Sequence, residues 1–134
     1  DFPNDRTAKM EGVIAIPHLG ASTEESEDNC AKMAVKQIMD YLENGNIKNS
    51  VNFPAIDLPP HNGRNVLVLH ANVPNIISQI TTVIGEMGIN IENMMNSSKG
   101  EYACTLVDSS TEADAETIAK ISSCEGIIRV IKID

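Results

Sequence analysis

Few positions in this sequence have side chains that could do chemistry. His18 follows the apolar run "VIAIP" and precedes "LGASTEESE". That puts an imidazole between a strand end and a helix start, where α/β enzymes often hold working residues. A histidine acid–base also needs an orienting carboxylate and a substrate-binding cation. Arg6 is the only arginine nearby, and Glu24 and Glu25 belong to the helix start. The residues alone therefore leave His18 open between an acid–base and a structural side chain. A second group lies further on. His70 and Asn72 stand where a strand meets the helix opened by Pro74, and Asn90 lies just beyond Gly88. Amide side chains offer a donor and an acceptor together, and a helix N-terminus attracts a carboxylate. The set suits a zwitterion such as an amino acid; the alternative is that Asn72 and Asn90 are turn residues.

Other chemistries are poorly served. His18, His61 and His70 are not spaced as metal ligands, so no metal is expected. Cys30, Cys104 and Cys124 are odd in number and lack CxxC spacing, which argues against a zinc site or a disulfide framework and for a reducing, cytoplasmic location. There is no GxGxxG and no glycine-rich phosphate loop, so no cofactor is expected on these residues themselves. The net charge of −9, from 10 basic against 19 acidic residues, disfavours nucleic acid. No run of about 18 apolar residues calls for a membrane. The chain begins at Asp1 without a methionine, through processing or a boundary.

The elements that must position these groups fall into two unlike halves. The first half is expected to hold a strand over Val13–Ile16, the "PHLGAS" loop and a long helix. Ser22 with Glu25 reads as a capping box, Gly45 ends the helix, and Cys30, Ala31, Ala34, Val35, Ile38, Met39 and Leu42 form an apolar stripe. That stripe must pack on something, its own second half or another chain. "NFPAIDLPPHNG" reads as an extended linker. The second half predicts strand 65–70, a helix with Ile76, Ile77, Ile80, Val83, Ile84 and Met87 inward, two strands joined around Lys99-Gly100, a short helix capped near Thr111 and Asp114, and a last strand "GIIRVIKID". The order βαββαβ is the ferredoxin-like α+β arrangement. About 70 residues make a modest core, so a dimer through a sheet edge is expected. Met94 and Met95 fit core or interface packing. A ferredoxin-like RNA binder would show stacked aromatics on its central strands, and here only Tyr102 qualifies.

Three quoted segments carry a family resemblance. "IPHLGASTEESEDN" resembles the catalytic-histidine segment of the D-3-phosphoglycerate dehydrogenases. "VNFPAIDLPPHNGRNVLVLHANVP" resembles their junction into a C-terminal regulatory ACT domain, and "GEMGINI" resembles the ACT turn into its second strand. The resemblance implies residues 1–52 as the end of a catalytic region, 53–63 as linker and 64–134 as an ACT domain. It implies a parent oxidoreductase of serine biosynthesis that oxidises 3-phosphoglycerate with NAD and is inhibited in many members by L-serine. By resemblance His18 is the catalytic acid–base. The partner glutamate, the substrate arginine and the NAD loop would lie upstream of Asp1, so this piece alone is expected to be inactive. His70, Asn72 and Asn90 match the effector site, shared between two subunits of a homodimer. Where the family usually has glycine after "NxP", this chain has Asn75, so a dimerisation module without effector is the alternative.

Overall fold

The computed structural model describes residues 2–59 and 64–133. It divides into two compact units, Asp1–Lys36 and Gln37–Asp134. In the first, Asn4 accepts hydrogen bonds from the backbone N–H groups of Arg6 and Thr7 and so opens a 3-10 turn at Thr7–Lys9. The strand expected over Val13–Ile16 is not formed. Those residues are exposed and make no ladder bonds within the described residues, and a strand without a partner leaves its backbone groups unpaired. Helix α1, Glu24–Asn44, begins one residue later than the Ser22 capping box implies. Thr23 Oγ1, not Ser22, accepts the Ser26 N–H at 3.1 Å, which is the N-cap to N3 offset.

The second unit is built on a four-stranded sheet of β1 (Asn65–Ala71), β2 (Ile91–Lys99), β3 (Tyr102–Ser109) and β4 (Ile127–Ile133). Their order is β2-β3-β1-β4 and every pairing is antiparallel. Helices α2 (Ile76–Glu86) and α3 (Ala115–Ser122) cover one face. Ile76, Ile80 and Ile84 of α2 and Ile121 of α3 pack there on Val66, Val68 and Val107. The isoleucine spacing is the i, i+4, i+8 stripe read from the sequence. Asp114 caps α3 by accepting the Thr117 N–H at 2.8 Å. Thr117 is buried because its hydroxyl donates to the same carboxylate, so its polar atom has a partner.

The opposite face is where the fold departs from expectation. Over residues 53–58 the proline-rich stretch is no free linker. Ile47 and Ile56 exchange backbone hydrogen bonds of 2.9 and 3.0 Å. With Leu58 they are buried against Leu67, Leu69, Cys104 and Leu106. Extended backbone alternates its side chains, so Ile56 and Leu58 point inward while Ala55 and Asp57 stay exposed. Leu58 N–H finds a partner outside any strand, the Asn46 side-chain oxygen at 2.9 Å. The last residues of that stretch, 60–63 with His61, lie outside the described residues. The α1 stripe buries little: Ile38 and Leu42 remain 57% and 63% exposed, and Tyr41 is the side chain that reaches the sheet.

Candidate functional site

His70 occupies the end of β1. Strand alternation puts it on the helix-covered face with Val66 and Val68. It is 2% exposed. Its Nδ1 lies 2.8 Å from the Ala71 carbonyl, which only accepts, so that nitrogen carries a hydrogen. Nε2 and Asn96 Oδ1 each lie 2.9 Å from Thr105 Oγ1, whose single hydroxyl hydrogen serves one of the two. A polar chain thus crosses β1, β3 and β2. Thr105 and Asn96 were missed in the sequence, although Thr105 gave a signal: a hydroxyl at an inward position of a strand, between Ala103 and Val107.

Asn72 is exposed beyond the strand end. Its Nδ2 donates to the Gly100 carbonyl at 3.0 Å and its backbone N–H to Glu101 O at 2.9 Å. Next to it, Asn75 takes φ +71°, in the left-handed region, at the start of α2. Asparagine is among the few residues besides glycine that accept this conformation, so the turn forms with a side chain at this position. Gly126 closes the same corner: its carbonyl accepts the Ala71 N–H at 2.8 Å and its φ is +86°.

Asn90 lies elsewhere. It precedes Ile91, which pairs with Ser109, and its carbonyl accepts the Ser110 N–H at 2.9 Å. Asn72 is beside Tyr102's end of β3, where Ala71 pairs. Seven residues of extended strand separate the two ends, roughly 20 Å. One chain brings His70 and Asn72 together and leaves Asn90 apart. His18 stands exposed in the first unit, its ring stacked on Phe2 with centroids 4.8 Å apart. An open depression of about 620 Å³ at the start of α3 is lined by none of these residues. Among the described residues no group of three or more His, Cys, Asp or Glu could hold a metal ion, and no helix is long and apolar enough to cross a membrane.

An antiparallel sheet in the order β2-β3-β1-β4 with both helices on one face defines the class, a ferredoxin-like α+β fold. Over most of its length the chain is similar to curated D-3-phosphoglycerate dehydrogenases. It is 29% identical to that enzyme of Escherichia coli strain K12 over 112 residues, 84% of this chain and 27% of the relative. With the Haemophilus influenzae enzyme it shares 30% over 122 residues, 90% of this chain and 30% of the relative. With the Dictyostelium discoideum enzyme it shares 31% over 123 residues, again 90% and 30%. The chain thus spans less than a third of these relatives' length. No protein-family model matches it. The ACT domain from GTP pyrophosphokinase of Chlorobium tepidum aligns over 50% of this chain and 91% of that one, with a TM-score of 0.43 and 15% identity, a likeness that says nothing of function.

Proposed function

We propose that this chain is the regulatory region of an NAD-dependent D-3-phosphoglycerate dehydrogenase and binds an amino acid, L-serine, between two copies. One observation carries the reading. Asn72 and Asn90 lie at opposite ends of the sheet, and β2 is one of its two edge strands, the one that Asn90 leads into. A two-fold axis across β2 would set the start of one β2 against the end of the other. Asn90 of one copy would then approach Asn72 of its partner, and the amides would face a zwitterion from both sides. His70, buried and bonded at both nitrogens, would support the site by fixing the end of β1. Met94 and Met95, 40% and 38% exposed on β2, would be covered at the seam.

In the whole enzyme His18 would take the hydroxyl proton of the substrate as hydride leaves for NAD. The residues present do not fit the dinucleotide itself. Val13–Ile16 forms no strand, and the irregular stretch before α1 holds only Gly12 and Gly20, which are not at GxGxxG spacing. NAD binding is therefore not assigned to this chain, and alone it is expected to be inactive.

The test is titration of the 134-residue chain with L-serine and glycine, read by calorimetry, melting temperature and sedimentation. A bridging ligand at about 100 times its Kd stabilises by about 2.7 kcal/mol, so a rise of several degrees and a shift to dimer are expected. A dimer that gives no heat with either amino acid would favour the second reading, a pairing module whose crevice Asn75 has closed. A monomer indifferent to serine would sink both.

A further inference from the structure

Residues 45–58 leave the last turn of α1 and lie across the sheet face opposite α2 and α3 as a strap. The strap grips the turn between β2 and β3. Lys99 Nζ donates to the carbonyls of Ser50 and Val51 at 3.2 and 3.0 Å. The rings of Phe53 and Tyr102 meet with centroids 5.6 Å apart. Asn72 holds the two residues in between, through its side chain to Gly100 and its backbone to Glu101. Residues 99–102 are all exposed, and Gly100 takes φ +60°. The Lys99–Tyr102 pair of the β2–β3 ladder closes this two-residue hairpin, and with so little side-chain packing of its own its tip is positioned further by these partners.

We propose that Lys99, with the Phe53–Tyr102 pair, positions Asn72 through this turn, so that docking of the strap and ligand binding at Asn72 favour each other. The ligand half rests on the reading of Asn72 given above; the coupling of Asn72 to the strap is a property of the ligand-free chain. An exposed amide rotates unless one end is held. The Gly100 carbonyl takes one N–H and fixes the amide plane, leaving the oxygen and the second N–H for a zwitterion's ammonium and carboxylate. If the strap lifts, Lys99 loses both carbonyls and the turn loses its aromatic anchor. The amide then loses its holder, and a ligand must order it at its own expense. Linkage makes the effect reciprocal: a ligand that prefers the held amide also favours the docked strap. Because the strap continues α1, occupancy at Asn72 is thereby felt at the end of that helix.

Cys104 supplies the readout. It is fully buried beneath the strap, with its thiol directed at the Pro54 carbonyl 3.9 Å away. Burial closes the thiol off from reagent and pushes it up to about 11, so alkylation requires the strap, or the whole fold, to open. The experiment follows Cys104 alkylation by iodoacetamide in a Cys30→Ser, Cys124→Ser background, with urea unfolding alongside to remove any change in global stability. Asn72→Ala is expected to speed alkylation about fivefold beyond the stability effect, the factor that one lost hydrogen bond carries. Lys99→Met should do the same and weaken L-serine binding by about fivefold, and Lys99→Arg, which keeps the donors, should restore both. If Asn72→Ala and its parent are alkylated at equal rates, the proposal is overturned, whether or not serine binds. If the fivefold effect is present and serine gives no heat, the coupling is supported, and it is the ligand reading of Asn72 that falls.

Discussion

At the scale of single residues, the corner around Asn72 is shaped by backbone conformations that most side chains resist. Gly126 combines a φ of +86° with a close neighbour: a Cβ there would lie 2.7 Å from Ile76 Cδ1. Gly100 has φ +60° with nothing within 4 Å of its Cβ position. Left-handed backbone costs an L-residue roughly 1–2 kcal/mol, and overpacking adds about 1–3. Gly126→Ala should therefore lose about 2–5 kcal/mol in urea unfolding and Gly100→Ala about 1–2. Equal losses would show that the contact with Ile76 does not matter. Asn75 fits the same logic. Asn75→Ala should cost about 1 kcal/mol while Asn75→Gly should be neutral or better, and the glycine should also bind serine more tightly if the side chain crowds the crevice. The residue types at this corner were legible in the sequence. The burial of His70 was not, because it depends on Thr105 meeting it from a strand 35 positions away.

At the scale of elements, what was legible had its own period. The isoleucines of α2 and the alternation of β1 and β3 announce themselves locally, and the sheet order follows from the connections between them. The strap did not, because prolines 54 and 59 mark an open chain unless an apolar face is already there to receive Ile56 and Leu58. The strand over Val13–Ile16 failed for the converse reason: its apolar residues needed a partner outside their own sequence. The joint between α1 and the strap is set by one carboxylate. Asp40 accepts from Lys48 Nζ at 3.0 Å, Asn44 Nδ2 at 3.0 Å and Asn46 Nδ2 at 2.9 Å. The bond from Lys48, chiefly, holds its pKa below the ordinary 3.8, against the opposing effect of burial. A carboxyl lowered on folding stabilises the fold above its unfolded pKa, and that stabilisation is lost as the pH falls through the folded value. Asp40→Asn should therefore be less stable than the parent at pH 7 by about 1 kcal/mol. The gap should close in acid once both chains are uncharged at this position. A gap unchanged down to the acid limit would mean that the charge of Asp40 contributes nothing.

At the scale of the whole molecule, the question is which surface meets a second copy. Several apolar side chains are exposed, Ile128 of the other edge strand, β4, among them; two surfaces bear directly on the pairing of Asn72 with Asn90. One is β2 with Met94 and Met95; the other is α1, with Ile38 and Leu42 more than half exposed. They lead to different functions. Pairing along β2 centred on Met95 would set Ile91 beside Lys99 of the partner, bringing Asn90 near the Asn72 corner of the other copy. Pairing through α1 would bury apolar area equally well and leave the two asparagines at opposite ends of the sheet. Lysines opposed to themselves across an antiparallel edge repel, which is how natural edges resist pairing. Met94→Lys combined with Met95→Lys should thus weaken the dimer at least about tenfold in sedimentation, while the circular dichroism of the already exposed strand stays unchanged. Serine binding should fall with it, since each copy supplies half the site. Ile38→Lys combined with Leu42→Lys should leave both properties intact. If instead the α1 pair dissolves the dimer and the β2 pair does not, no axis joins Asn72 to Asn90, and the bridged amino-acid site cannot exist in this form.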